Sequence, residues 1–260
     1  MELLDQFPIL WVYIGTVVIV LVAAEIGFQI GSWAQRRDPE MGKVLLTGPV
    51  VGGMLGLMAF LLAFCIGIVI NQHNERKAMV VTDANAIGTA YLRADFLNEN
   101  DRNATHALMQ EYVEVRLAAA ADLTLFDSSR TRSEEIHSQL WSIVSQNVAQ
   151  GEDSAIMALF VDSINEVIDV HTLRLTAIDL RLPRQLGIVL YAATLFSFLL
   201  VGVSSSANGK RDTITILLFA LAFVTVFILI IDLDRPQEGL LTVSQSALSD
   251  LLQQMKMPAP

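Results

Sequence analysis

Apolar residues fall into four long runs, two on either side of a long polar stretch. The runs are Phe7–Ile30, Pro49–Ile70, Gln185–Val203 and Thr213–Ile231. A helix needs about 20 residues to cross the ~30 Å hydrocarbon core of a bilayer, so each run predicts a transmembrane helix. An even number of spans puts the N-terminus, the polar insert and the C-terminus on one side. The expected organisation is an all-α membrane protein: spans one and two over 1–70, an antiparallel helical bundle outside the membrane over 71–183, spans three and four over 184–231, and a short tail over 232–260.

Within the insert the pattern stays helical. Val80, Ala84, Ile87, Tyr91, Ala94 and Leu97 keep a 3–4 spacing, and no Gly or Pro interrupts 68–87, so the second span is expected to run on as one helix to about Leu97. That is on the order of 70 Å at ~1.5 Å per residue, and it would couple the insert rigidly to the membrane. A second helix is marked by Leu108, Tyr112, Val115, Ala119 and Phe126. A third is expected to open on the capping box Thr131-Arg132-Ser133-Glu134 and to bury Ile136, Leu140, Val144 and Val148. Phe160, Ile164, Val167, His171, Leu175, Ile178 and Leu182 mark a fourth, expected to stop at Pro183 where span three begins with a kink. In the tail, Ser244–Met255 predicts a short amphipathic helix with Leu248, Leu251 and Leu252 on one face. No strand pattern, internal repeat or low-complexity tract appears.

The second span carries a stripe of small residues: Gly52, Gly56, Ala59, Ala63 and Gly67. Small side chains let helix backbones approach closely, so this face is expected to pack on another helix. The sharper reading is that it lines a pore, with Gly56, Phe60, Ala63, Phe64 and Gly67 as candidates and the two phenylalanines as the constriction. Glu25 lies inside the first span, where a carboxylate costs a few kcal/mol. It is expected to reach the interface, with a place in a conduction path or a helix-pairing hydrogen bond as the alternatives.

Charge refines this picture in two ways. Residues 71–183 hold 17 Asp and Glu against 9 Lys and Arg, so most of the net −10 belongs to the insert. An acidic insert argues against nucleic acid and against anionic headgroups as partners. For orientation, Arg36, Arg37, Lys43, Lys210 and Arg211 in the short loops face Arg76, Lys77, Arg181, Arg184 and Arg235 on the other side. Only the N-terminal tail, bare of Lys and Arg, breaks the tie, and by the positive-inside rule it favours an extracytoplasmic insert. The acidic start Met1-Glu2-Leu3-Leu4-Asp5 does not fit a cleaved signal peptide. The one cysteine, Cys65, sits in the second span and reads as a packing residue.

No enzyme signature is present: no phosphate loop, dinucleotide fingerprint, CxxC or GxSxG, and four scattered histidines. No catalytic residue, metal ligand or cofactor is expected, and His171 reads as a hydrogen-bonded core residue. Two polar clusters stand out. Asp232-Leu233-Asp234-Arg235-Pro236 follows the fourth span directly. Its carboxylates oppose the helix macrodipole, so Arg76, Lys77, Arg181 and Arg184 are expected to compensate; the alternative is a cation site or an acidic ring at a pore mouth. The other cluster is 83–95, where Asn85, Thr89 and Arg93 share a helix face beside Ala and Gly, open to a neighbouring helix or a ligand.

Ala84–Phe96, with Asn85, Thr89, Tyr91 and Arg93, resembles a signature of the bestrophin-like membrane family found widely in bacteria. Asp232–Pro236 and Gly239–Gln245 resemble its second signature. True bestrophins are pentameric ion channels with four spans, a pore-lining second span and a helical cytosolic region, but their neck sequence and acidic calcium clasp have no evident copy here. The resemblance implies a multi-pass protein of the bacterial inner membrane, a homo-oligomer and by analogy a pentamer. It also implies small ions as cargo and an insert in the cytoplasm, against the charge count. The leading expectation is therefore a homo-oligomeric channel whose bundle forms a vestibule. An acidic vestibule favours cations, whereas the analogy points to anions. The rival is a membrane-anchored sensor or scaffold whose bundle binds a ligand or partner protein.

Overall fold

The computed structural model describes residues 7–37, 48–207, 213–235 and 239–257. Among these, every regular element is helical: α1 (Ile9–Arg37), α2 (Gly48–Arg93), α3 (Glu99–Ala121), α4 (Phe126–Ala149), α5 (Ala155–Asp179), α6 (Arg184–Ala207), α7 (Thr213–Asp234) and α8 (Ser246–Lys256), with single 3₁₀ turns at Ala94–Phe96 and Leu123–Leu125. Four stretches are long and apolar enough to cross a membrane, in α1, α2, α6 and α7. The protein is a multi-pass membrane protein.

The helices form two compact units. The first takes the described residues up to Gln72 and from Arg181 to Leu241; the second takes His73–Leu180 and the described residues from Thr242 on. Helix α2 passes from one to the other.

In the first unit α1, α6, α7 and the first half of α2 share a core of Val20, Met58, Leu62, Cys65, Val69, Leu190, Phe198, Val224 and Ile230. Helices α1 and α6 approach so closely that a methyl group at Gly27 would land on the Leu199 carbonyl, and one at Gly202 on the Ala24 carbonyl. The small-residue logic thus operates in this chain at α1–α6. On α2 the monomer uses a different face, burying Met58, Leu62, Cys65 and Val69, one step round from the glycine stripe.

In the second unit the rest of α2 packs with α3, α4, α5 and α8 around Ile87, Ala90, Met109, Tyr112, Ile136, Leu140, Phe160, Ile164 and Leu248. Several local expectations are corrected here. Helix α4 begins at Phe126, so Thr131 lies inside it and caps nothing. The Thr131 and Ser133 hydroxyls donate to the Asp127 and Ser129 carbonyls, 3.1 and 2.8 Å away, the back-bonding open to Ser and Thr within a helix. The stop before α4 is instead made by Asp122, whose carboxylate accepts from the Thr124 amide at 2.9 Å and hydroxyl at 2.7 Å.

The buried face of α3 is Thr105, Met109, Tyr112, Val113 and Arg116; of the expected stripe Tyr112 is fully buried and Leu108 packs partly buried on the same core, Val115 and Ala119 are half-buried, and Phe126 belongs to the next helix. A buried arginine within the stripe is what shifts it. On α4, Val148 is exposed. Helix α5 ends at Asp179, short of Pro183. Instead of kinking a continuous helix, Pro183 opens α6, its carbonyl accepting from the Leu186 and Gly187 amides. Between α4 and α5, Gly151 adopts φ +93°, the left-handed position that ends a helix most easily with glycine.

Candidate functional site

The end of α7 is held by its own carboxylates. Asp232 accepts from the backbone amides of Leu240 and Leu241 at 2.8 and 3.0 Å, which folds the following chain back on the helix end. Asp234 accepts from the Leu182 amide at 2.6 Å, with the Arg181 guanidinium 3.9 Å from its carboxylate and donating to its carbonyl at 3.0 Å. Arg235 donates to the Phe7 carbonyl at 3.2 Å. All three side chains are buried. Backbone N–H groups, not only basic side chains, offset the macrodipole here. Arg184 is exposed at the first residue of α6. Arg76 is buried and donates to the carbonyls of Ala177 and Leu180 at 3.1 and 2.6 Å, satisfying the end of α5.

Along α2 the candidate pore residues share one outward face. Gly56, Ala63 and Gly67 are exposed, with Phe60 66% and Phe64 51% exposed. A methyl group at Gly52, Gly53, Gly56 or Gly67 would meet nothing within 4 Å. Further along, Asn85 and Thr89 also point outward, with Arg93 half-buried and donating to the Leu159 carbonyl at 2.6 Å. Tyr91 points elsewhere: its hydroxyl donates to the Met255 carbonyl of α8 at 3.2 Å, and its ring stacks on His106 at 3.9 Å. Glu25 is exposed on α1 and accepts from Gln29 at 3.2 Å.

The densest polar cluster is one that sequence patterns do not single out. Asp83 is fully buried on α2. Its Oδ2 meets Arg174 of α5 at 2.5 Å and Arg116 of α3 at 3.2 Å. Arg174 also donates to the Gln245 side chain at 2.6 Å, and Arg116 donates to the Tyr112 hydroxyl at 2.7 Å. His171 and His137 complete the group, their rings edge to face with centroids 4.8 Å apart. Burial pushes the Tyr112 phenol up to about 12 and the Arg174 guanidinium down to about 10. Burial, reinforced by Arg116, pushes His137 down to about 4 and His171 to about 3. Both rings are neutral near pH 7. Asp83 lies just before the first signature and Gln245 ends the second, so Arg174 joins the two motifs. Among the described residues, no group of three or more potential metal ligands converges.

Four apolar spans and an all-helical architecture with a polar-cored bundle define a class of integral membrane protein. The bestrophin-like domain family matches residues 15–248, and the chain belongs to that family. Its fold is that of bacterial bestrophins. Crystal structures of variants of a bacterial bestrophin homologue from Klebsiella pneumoniae superpose with TM-scores of 0.65, 0.65 and 0.67 at 14%, 15% and 12% identity, covering 95%, 92% and 95% of this chain and 97%, 96% and 97% of theirs. No curated protein sequence matches the chain.

Proposed function

We propose that the chain is one subunit of a homo-oligomeric ion channel, a pentamer by analogy with bestrophins, in which α2 lines the pore. The observation that carries this reading is the outward face of α2. A lone membrane helix gains nothing from a stripe of glycine and alanine turned away from its own core. Gly52, Gly56, Ala63 and Gly67 leave room for a second copy's helix or for an aqueous path, and Phe60 and Phe64 supply an apolar constriction that gates by dewetting. The setting is the bacterial inner membrane, and small ions are the cargo.

Purified protein in liposomes is expected to pass small monovalent ions down a gradient, and Phe60→Ala with Phe64→Ala is expected to raise the flux severalfold. Liposomes that pass no small ion under any gradient, or a stable monomer in mild detergent, would overturn the reading.

A further inference from the structure

The core of the second unit buries more positive than negative charge. Arg116 and Arg174 share the single carboxylate of Asp83, and all three are more than nine-tenths buried. Around them stand Tyr112 from α3, His137 from α4 and His171 from α5. The exposed pair Arg130–Glu134 lies on α4, and Gln245 stands just ahead of α8. The hydrogen bonds settle the tautomer of His171. Its Nδ1 lies 2.6 Å from Arg116 Nη1 and 3.0 Å from the Tyr112 hydroxyl. Arginine only donates, so Nδ1 is the acceptor and the neutral ring carries its proton on Nε2. The Tyr112 oxygen accepts from Arg116 and packs beside the same Nδ1.

That leaves His171 Nε2–H as a buried donor, 6% exposed, with no partner among the described residues; Nε2 of His137, 8% exposed, also has none, and no hydrogen bond fixes which of that ring's nitrogens carries the proton. A buried donor without an acceptor is costly, and a buried charge excess costs more. The two costs coincide at one corner of the bundle, where the fields of Arg116, Arg174 and Arg130 all bear on the His171 ring. One small anion would relieve both, accepting from Nε2–H and balancing the guanidinium excess.

We propose that the His137–His171 corner of the bundle binds a small monovalent anion of the halide or nitrate class, held by the His171 Nε2–H and the field of Arg116 and Arg174. Such an ion is a fixed part of the bundle. Its binding stands apart from conduction, so a chain that passed no ions would leave the site intact.

The test uses the full chain in detergent with gluconate, a bulky organic carboxylate, as the starting anion. Replacing gluconate by bromide or nitrate at constant ionic strength is expected to raise Tm by a few degrees, saturably, as mass action on a native-state ligand requires. Crystals grown in bromide are expected to show an anomalous peak within contact distance of His171 Nε2. His171→Phe is expected to abolish the bromide response while keeping helical content. Should that variant not fold, His137→Phe together with the wild-type bromide crystal carries the test. An equal response to gluconate and bromide, or a bromide crystal with no anomalous peak at this corner, would overturn the proposal.

Discussion

Asp83 shows how much one residue can carry. Its carboxylate is the only negative charge that the structure places directly on Arg116 and Arg174 among the described residues. Removing one partner of a buried ionic group typically costs about 3–5 kcal/mol, because the remaining charges stay buried. Asp83→Asn is therefore expected to lower the melting temperature sharply in detergent, and Asp83→Asn combined with Arg174→Gln to recover part of the loss. A double variant no better than the single one would show that the triad does not act as a unit. The two histidines make stability depend on pH with a definite sign. Their folded values, about 4 for His137 and about 3 for His171, lie below the ordinary 6.5. The unfolded chain thus takes up protons first as pH falls. The stability they permit is intact above pH 6.5 and drains away between 6.5 and about 3. Melts across that range are expected to show a steep fall that His137→Phe with His171→Phe flattens. Of this cluster only His171, a buried and hydrogen-bonded residue, was legible from residue patterns. Asp83 meets partners that lie 33 and 91 residues away in sequence, and no local spacing announces such a meeting. His171 could be read as a core residue because it sits on a periodic stripe, but the arginine beside it interrupts the periodicity of α3.

At the scale of elements, periodicity was a good guide wherever one face is purely apolar. The extramembrane part of α2 and the amphipathic α8 stand in the sequence for that reason, while the four spans stand there as unbroken apolar runs. It failed where polar side chains serve the core, as on α3, and where Ser and Thr have two uses, as in the box at 131–134. The glycines divide by the same physics. Gly27 and Gly202 are sealed against backbone, so Gly202→Val is expected to cost more than the ~1–3 kcal/mol of ordinary overpacking and to lower the yield of folded protein. Gly56 faces open space, so Gly56→Ala is expected to leave the melting temperature of the subunit unchanged, and any effect should appear in assembly or ion flux. Helix α8 offers a separate test. It sits against Gly88, where an added Cβ would lie 3.2 Å from Leu251 Cδ1, and its Met255 carbonyl takes hydrogen bonds from both Tyr91 and Gln110. Ala at Gly88 is expected to be tolerated because the Leu251 tip can give way. Phe there is expected to dislodge α8, which limited proteolysis should detect as rapid loss of the C-terminal residues.

For the whole molecule, the match over 15–248 gives the family and not the side of the membrane: the charge count puts the second unit outside the cytoplasm, and the resemblance to bestrophins puts it inside. A fusion at the C-terminus decides between them, the cytoplasmic placement being the one tested first. A fluorescent protein fused after Pro260 should then mature and fluoresce, and alkaline phosphatase at the same point should be inactive; the opposite pair of results would restore the charge argument. The docking of α8 also has a consequence in time. Tyr91 and Gln110 wait for a carbonyl at Met255, 164 and 145 positions further along the chain. As the polypeptide leaves the ribosome, the seat on α2 and α3 is made early and stays open while α6 and α7 are still being inserted. Leu248 and Met255, which close the hydrophobic interior, are synthesised only after both of those helices. Folding of this unit can finish only after α6 and α7 have been made, and a chain stalled before Ser246 would present that open seat to proteases and chaperones.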